Sequence, residues 1–256
     1  MIHRTAIVEP GARLAAGVRV GAYSLIGPQV ELGEGTVIGP HVVIEGRTRI
    51  GRDNRISPFA SIGGAPQDIK YAGEDTAVEI GDRNTFREYV TINRGTIGDA
   101  KVTRVGDDNW VMAYVHFAHD CQIGSHTVFA NACALAGHVQ IGDWAILSGY
   151  TLVHQFVRVG AHSFTGMGTA LDRDLPPYVR AAGKRAQPYG INTVGLRRRG
   201  MSSATVDALK QAYKTIYRHG LGQEDMRRTL EEQARSCPEV RAMLDFLNAS
   251  KRGYIR

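Results

Sequence analysis

The sequence lacks several features that would assign it to a broad class of protein. It has no uncharged apolar run approaching about 18 residues and no basic N-terminal region followed by an apolar run, so neither a membrane span nor a secretory signal is predicted. Its three cysteines form no Cys-x-x-Cys pair, and no P-loop or dinucleotide-binding fingerprint is present. Aromatic residues make up only 7% of the 256 residues. We therefore expect a cytoplasmic protein without a structural zinc site or stable membrane insertion.

Glycine and positive charge are the two abundant features. The chain has 30 glycines, and its 31 Lys and Arg residues exceed 25 Asp and Glu residues, which gives a net charge of +6. A positive chain suits an anionic ligand or an acidic partner protein, but the charge alone does not choose between them.

A six-residue repeat occupies most of the chain. Every sixth residue is aliphatic from Ile2 to Ile62, the pattern returns from Ile80 to Ile92, and it continues from Val105 to Leu171 shifted by one place. Of these 26 positions only Thr165 is not apolar, and glycine often follows the apolar residue. A helix would bury every third or fourth residue and a plain strand every second one.

A period of six instead fits short strands joined by tight corners. Three sides close a triangular coil of three hexads, and the 26 repeats make nearly nine coils, or a prism roughly 40 Å tall. The pattern resembles the hexapeptide-repeat transferases, which implies a left-handed parallel β-helix and a homotrimer.

Two insertions and a helical end interrupt this pattern. We expect loops at 64–79 and 96–103, within a β-helix that covers residues 1–190. From Ser202 the apolar period becomes helical, and three helices are predicted before the end, with Gly220 stopping the first and Pro238 in the first turn of the third. Residues 191–256 are therefore predicted to form a C-terminal helical domain.

A histidine cluster marks the candidate site. Residues three hexads apart stack on successive coils, so His119 is expected beside Gly137 and, one coil further, Gln155. His138 and His154 neighbour these positions, and the glycine of the repeat is replaced at six places in this stretch, 112, 118, 130, 136, 148 and 154. Loss of a local rule where polar residues gather is typical of a functional site.

The residues alone leave other interpretations open. Histidines on a β-helix can hold zinc between subunits, so a histidine-zinc lyase or hydratase is one alternative. A non-enzymatic β-solenoid is another. The basic run at 197–199 is either a solvated face or a phosphate site.

Several sequence strings together resemble one family, the cytoplasmic UDP-N-acetylglucosamine O-acyltransferases, which catalyse the first step of lipid A biosynthesis. The similarity runs over essentially the whole chain. The strings are QDIKYAGE at 67–74, IGDRNTFREYVTINRGT at 80–96, AHDCQIG at 118–124, LAGHVQIGD at 135–143, VHQFVRVGAH at 153–162, PPYVRAAG at 176–183 and GLRRRG at 195–200.

The resemblance implies transfer of a 3-hydroxyacyl chain from acyl carrier protein to the sugar 3-hydroxyl. It makes His119 the general base, Asp120 its assistant and the Gly137 backbone amide the oxyanion donor. Since consecutive strand residues point to opposite sides, the His119–Asp120 pair requires a corner between them. No cofactor, metal or nucleic acid is expected, and the partners are acyl carrier protein, UDP-N-acetylglucosamine and two further copies of the chain.

The resemblance also supplies substrate-binding positions. They are Asp68 and Lys70 in the first loop, His116, His138, His154 and Gln155 along the site, and Asn192, Arg198 and Arg199 for the nucleotide. Val194 stands where the family can carry an acid. Met167 matches a position that closes the end of the acyl groove. Its axial distance from His119, about 13 Å, favours ten to twelve carbons over fourteen.

Overall fold

The predicted β-helix is confirmed. A computed structural model describes residues 1–98 and 100–256, and within them short parallel strands form three sheets of nine, eight and ten strands. The sheets are the faces of a triangular prism, and apart from the last two strands each strand pairs with strands three places away along the chain. The chain is a left-handed parallel β-helix with short C-terminal helices.

Most strands are only two residues long, because a corner follows each one. The first sheet contains β1 (Ile7–Val8), β4 (Leu25–Ile26), β7 (Val43–Ile44), β10 (Ser61–Gly64), β13 (Thr91–Asn93), β16 (His116–Phe117), β19 (Ala134–Leu135), β22 (Leu152–Val153) and β25 (Ala170–Leu171). The second contains β2 (Arg13–Leu14), β5 (Val30–Leu32), β8 (Arg47–Ile50), β11 (Ala77–Ile80), β14 (Val102–Val105), β17 (Gln122–Ile123), β20 (Gln140–Ile141) and β23 (Arg158–Val159). The third contains β3 (Arg19–Val20), β6 (Val37–Ile38), β9 (Arg55–Ile56), β12 (Thr85–Phe86), β15 (Trp110–Val111), β18 (Val128–Phe129), β21 (Ile146–Leu147), β24 (Phe164–Thr165), β26 (Val179–Ala182) and β27 (Gln187–Ile191), the last antiparallel to its neighbour.

The apolar residue of each hexad points into the prism. Ile26, Ile44 and Ile62 stack on three successive coils, and all three are fully buried. Burying an aliphatic side chain of this size stabilises the fold by about 1.5–3 kcal/mol, so the repeat itself is the main source of stability.

The two insertions are shorter than the sequence predicts. Regular neighbours such as Ile26 and Ile44 lie three hexads apart, whereas Ile80 pairs with Ile50, five hexads earlier, and with Val105, four hexads and one residue later. The first insertion therefore adds two hexads. The second adds one hexad and one further residue, so the apolar positions shift by one place after it. The predicted bounds at 64–79 and 96–103 overlap the ends of β10, β11 and β14, which are regular strands.

The three predicted helices are confirmed, and a fourth precedes them. In the described part of the chain they are α1 (Thr193–Arg198), α2 (Ser203–Tyr217), α3 (Gln223–Ala234) and α4 (Pro238–Asn248). The Ser202 side chain caps α2 by accepting a hydrogen bond from the Thr205 backbone amide. The short α1 has too few residues for a helical apolar period to reveal it. None of these four helices, over the residues that the structure describes, is long and apolar enough to cross a membrane.

A buried carboxylate joins the C-terminal tail to the prism. One oxygen of Asp174 accepts a hydrogen bond from the Arg158 backbone amide at 2.9 Å, and the other accepts one from the Ser250 hydroxyl at 2.7 Å. The backbone of Asp174 also exchanges hydrogen bonds with Gly253 and Ile255, both at 3.0 Å. The tail is thus fixed against the last coils.

Candidate active site

The His119–Asp120 pair lies at the corner between the first and second sheets, just after β16. Asp120 has a backbone φ of +59°, so the chain turns between the two residues and both side chains reach the same side. Nδ1 of His119 lies 2.9 Å from Oδ2 of Asp120, and both residues are buried. The corner that this pair requires is therefore present, and Nε2 of His119 is left for a substrate.

Two threonines hold Asp120 in place. Its Oδ2 accepts hydrogen bonds from the Thr96 backbone amide at 3.0 Å and the Thr96 hydroxyl at 2.7 Å. The Asp120 backbone amide donates to the Thr103 hydroxyl at 2.9 Å. The second inserted loop thus fixes the orientation of the pair.

Gly137 lies directly against the His119 ring, as the stacking of coils predicts. A Cβ at Gly137 would lie 2.4 Å from Cε1 and 2.6 Å from Nε2 of His119, far inside van der Waals contact. The φ of Gly137 is not positive, so the histidine and not the backbone conformation excludes a side chain here. Among the described residues the Gly137 N–H has no hydrogen-bond acceptor.

His138 closes the other side of His119. The two rings pack edge to face with centroids 5.0 Å apart, and Phe156 stacks on His138 at 4.4 Å. One ligand atom from each of His119, Asp120 and His138 fits within 4.8 Å of the others, a donor set that zinc accepts. The Asp120 carboxylate already serves His119 and Thr96, so a metal would have to displace these hydrogen bonds.

A large cleft of about 1080 Å³ opens on the second-sheet side of this corner. Its wall includes Asp68 and Lys70 of the first inserted loop together with His138 and Gln155. The structure therefore brings four of the predicted binding residues into one cavity beside the His119–Asp120 pair.

A second cavity of about 570 Å³ lies on the first sheet, on the opposite side of the corner. His116 and His154 line it, with the small residues Ala118, Ala134 and Ala136 between them. Burial, and then the neighbouring His119, lower the pKa of His116 below its ordinary value. His154 lines this first-sheet cavity together with Ala118 and Ala136, the residues directly before His119 and Gly137, whereas Gln155 lines the cleft on the other side of the corner.

Met167 lies at the corner between the third and first sheets, three residues before the Ala170 that ends the second cavity. Its side chain is 80% exposed and lines neither cavity in a single chain. The first sheet thus extends between His119 at one corner and Met167 at the other.

The predicted nucleotide-binding residues lie at the third corner of the prism. Asn192 caps α1 through its Oδ1, which accepts from the Gly195 amide at 3.2 Å, and its Nδ2 donates to the His162 carbonyl at 3.1 Å. Arg199 packs 5.0 Å from the Trp144 ring centroid, whereas Arg198 lines a separate cavity of about 270 Å³. One chain therefore does not bring Asn192, Arg198 and Arg199 to the His119 corner.

Three contacts at the site escaped the sequence reasoning. The first is the stacking of Phe156 on His138. These two residues are three hexads apart, like His119 and Gly137, so the same spacing predicts this contact. Thr96 and Thr103 lie on either side of the second insertion, where the repeat gives no register. No signal in the sequence points to them as partners of Asp120.

Two family models match the chain. Residues 174–255 match domain 2 of UDP-N-acetylglucosamine O-acyltransferase, and residues 30–64 and 103–137 match the bacterial transferase hexapeptide of six repeats.

Relatives are similar over the whole chain. The acyl-[acyl-carrier-protein]–UDP-N-acetylglucosamine O-acyltransferase of Herminiimonas arsenicoxydans is 56% identical, covering 100% of this chain and 99% of its own length. The protein of the same name from Paraburkholderia phymatum is 53% identical over 100% and 99%.

Solved structures agree with these sequence matches. The UDP-N-acetylglucosamine acyltransferase of Francisella novicida superimposes with a TM-score of 0.98 at 40% identity, covering 100% of this chain and 94% of that one. LpxA of Acinetobacter baumannii gives 0.97 at 43% identity, over 100% and 99%. This chain belongs to the acyl-[acyl-carrier-protein]–UDP-N-acetylglucosamine O-acyltransferase family.

Proposed function

We propose that this protein transfers a 3-hydroxyacyl chain from acyl carrier protein to the 3-hydroxyl of UDP-N-acetylglucosamine, the opening reaction of lipid A biosynthesis. The names of relatives at 51–56% identity over the full chain support the reaction. The observation that carries the residue assignment is the buried His119–Asp120 pair with Gly137 against its ring.

In this mechanism His119 is the general base. Asp120 accepts a hydrogen bond from the Nδ1–H of His119 and so orients the imidazole with Nε2 toward the sugar hydroxyl. As Nε2 removes the hydroxyl proton, the sugar oxygen attacks the thioester carbonyl of the donor. The Gly137 N–H donates to the oxyanion that forms. Collapse of this intermediate breaks the C–S bond, and the imidazolium returns its proton to the departing thiolate.

The two cavities divide the substrates between them. The cavity on the first sheet, with its row of alanines, suits an acyl chain. Met167 lies three residues before its Ala170 end, where we propose that it limits the chain length once the subunits assemble. The polar cleft with Asp68, Lys70, His138 and Gln155 suits the nucleotide sugar. His119 stands at the corner where the two meet.

Replacement of His119 tests this function. We expect His119→Ala to retain the fold and to lose at least about a hundredfold in turnover, as is usual when a general base is removed. Turnover is measured with purified protein, UDP-N-acetylglucosamine and 3-hydroxyacyl carrier protein. The matched control is His219→Ala, which removes an exposed histidine after α2. Normal turnover in His119→Ala would overturn the assignment.

The zinc alternative is favoured by one observation, the His119, Asp120 and His138 donor set. Elemental analysis separates the two mechanisms. Stoichiometric zinc that survives dialysis, together with activity lost to a chelator, would replace the transferase mechanism with a metal-dependent one.

We further propose that the active protein is a homotrimer. Asn192, Arg198 and Arg199 lie at a different corner from His119, so a complete site requires a second copy that turns this corner toward the first. A closed ring of such head-to-tail contacts gives every copy one complete site. Light scattering should give three times the chain mass of 27.9 kDa, and an active monomer would contradict the proposal.

Acyl carrier protein is the proposed donor partner, and the cytoplasm is the proposed location. The names of the relatives include the carrier protein, and the net charge of +6 favours an acidic partner. Lys and Arg side chains on helices α2, α3 and α4 are the proposed docking surface. All three cysteines are buried free thiols, which suits a reducing compartment.

A further inference from the structure

The C-terminal tail forms one wall of the cleft beside the catalytic pair. Ala249, Lys251 and Arg252 line the same cleft of about 1080 Å³ as Lys70 and His138. Neither the family resemblance nor the predicted site includes these tail residues. Arg252 donates a hydrogen bond to the Asp172 carbonyl at 3.4 Å, although the two residues are 80 positions apart. The tail therefore adds groups to the site from a distant part of the chain.

The fold positions this segment firmly. Ser250, directly before the two cations, donates its hydroxyl to the buried Asp174 carboxylate. The carbonyl of Gly253, directly after them, accepts a hydrogen bond from the Asp174 backbone amide, and Ile255 is 2% exposed. Lys251 and Arg252 are thus held between two anchored residues, while their own side chains remain exposed.

The two tail cations have no carboxylate partner within salt-bridge distance among the described residues. The acids of the cleft are already engaged elsewhere. An Asp68 oxygen accepts from the Lys70 amide at 3.0 Å, and a Glu74 oxygen accepts from the Ala72 amide at 3.0 Å. Both oxygens of Asp174 are used by the tail anchor and by the Arg158 amide.

A third cation is fixed nearby. The Arg158 guanidinium packs 4.6 Å from the Phe246 ring centroid of α4, and Arg158 lines the same cleft. With Lys70 on the facing loop, four cations and three carboxylates line the cleft, and the two tail cations are not paired with any of these carboxylates among the described residues. Such an arrangement favours a ligand with more than one negative charge.

We infer that Lys251 and Arg252 bind the diphosphate of the nucleotide sugar. This inference rests on the proposed function and extends its binding site to the tail. Adjacent phosphates offer several acceptor oxygens to the Arg fork and to the compact Lys ammonium. The phosphodiester of the carrier protein's prosthetic arm offers the same chemistry. However, the donor chain is assigned to the alanine-lined cavity on the other side of His119, so the sugar nucleotide is the source that the two cavities favour.

The test is the double variant Lys251→Gln, Arg252→Gln. We expect the KM for UDP-N-acetylglucosamine to rise about tenfold or more, since two charge-assisted contacts are lost. The turnover at saturating sugar nucleotide and the KM for the acyl donor should stay within about twofold. The conservative Lys251→Arg variant should keep the wild-type KM.

The control removes the same charge elsewhere. Arg4 and Arg19 are exposed at the opposite end of the prism, and the Arg4→Gln, Arg19→Gln variant should leave the KM for UDP-N-acetylglucosamine unchanged. Thermal unfolding of both variants checks that the tail anchor is intact.

Each other result overturns the inference. A rise in the KM for the acyl donor alone would assign the tail to the phosphodiester arm instead. An unchanged KM for both substrates would leave the tail without a binding role, and an equal change in the control would reduce the effect to overall charge. Absence of wild-type turnover with UDP-N-acetylglucosamine would refute the proposed function itself, which is a different outcome.

Discussion

The contact between Gly137 and His119 gives the sharpest test of the catalytic geometry. In Gly137→Ala the new Cβ would lie 2.4 Å from Cε1 of His119, whereas carbon atoms in contact are about 3.5–4.0 Å apart. The His119 ring must therefore move by about 1 Å or more. The change keeps the backbone amide that is assigned to the oxyanion, so it disturbs the base without removing the other catalytic group.

A displacement of about 1 Å at a reacting group costs on the order of a hundredfold in rate, or about 2.7 kcal/mol in the barrier. We expect turnover of Gly137→Ala at saturating substrates to fall by about this factor, with the unfolding midpoint close to that of the wild type. Gly149→Ala is the matched control. Gly149 has the same place in its hexad, but there an added Cβ meets only the Asn131 carbonyl oxygen at 3.4 Å.

A double-mutant cycle tests whether Gly137 acts through His119. If Gly137 acts by leaving room for His119, the change to alanine should cost nothing further once His119 is also alanine. Wild-type turnover in Gly137→Ala would show that the ring tolerates the displacement. A full loss that persists in the His119→Ala background would show that Gly137 matters for a different reason.

Three further predictions concern chain length, the donor partner and pH. The wild-type protein should prefer 3-hydroxydecanoyl or 3-hydroxydodecanoyl donors in an assay with competing donors. Met167→Gly should move this preference toward longer chains, by roughly tenfold for two carbons. A wild-type preference for fourteen carbons would refute the role of Met167 as the end of the groove. The KM for the acyl carrier protein donor should rise between about 50 and 300 mM salt, because exposed charges are screened, while an uncharged acyl-pantetheine donor should show no such rise. Burial, and then the neighbouring Arg199, lower the pKa of His162 to about 4. The folded state therefore binds fewer protons at this residue than the unfolded state, so its contribution to stability is present above about pH 6.5 and is lost as the pH falls toward 4. In His162→Phe, which retains a ring between Trp144 and Tyr178, the unfolding midpoint should fall less between pH 7.5 and 5 than in the wild type, and an equal fall would contradict the assignment.

The coils of the fold can be predicted from the sequence because one physical rule repeats. Every sixth side chain must fill the interior, and the spacing of three hexads then fixes which residues stack, including Gly137 on His119. The rule fails where it is interrupted. The predicted bounds of the two insertions are too wide because strands such as β11 begin before the repeat resumes at Ile80, with Ala77 and Val78 already paired.

The site is less predictable because its side chains lie at corners. A position at a corner can face either adjacent sheet, which is why His154 and Gln155 separate into different cavities. The hydrogen bonds that join Thr96 and Thr103 to Asp120 depend on how an irregular loop returns to the prism, and no periodicity describes that path. The position of the tail is the least predictable from the sequence, because the hydrogen bond between Ser250 and Asp174 joins parts of the chain 76 residues apart.

The two insertions also indicate where this chain can tolerate a change in length. Within a coil, one residue added or removed would turn the next inward side chain toward solvent and a polar one into the core, until a corner absorbs the change. At the second insertion the strands regain their pairing although the added length is not a multiple of six, and the repeat shifts by one place. Evolutionary gains and losses of residues should therefore concentrate at these two loops. The second loop carries Thr96, and the first carries Asp68 and Lys70, so the positions that tolerate changes in length lie next to residues that line the proposed site.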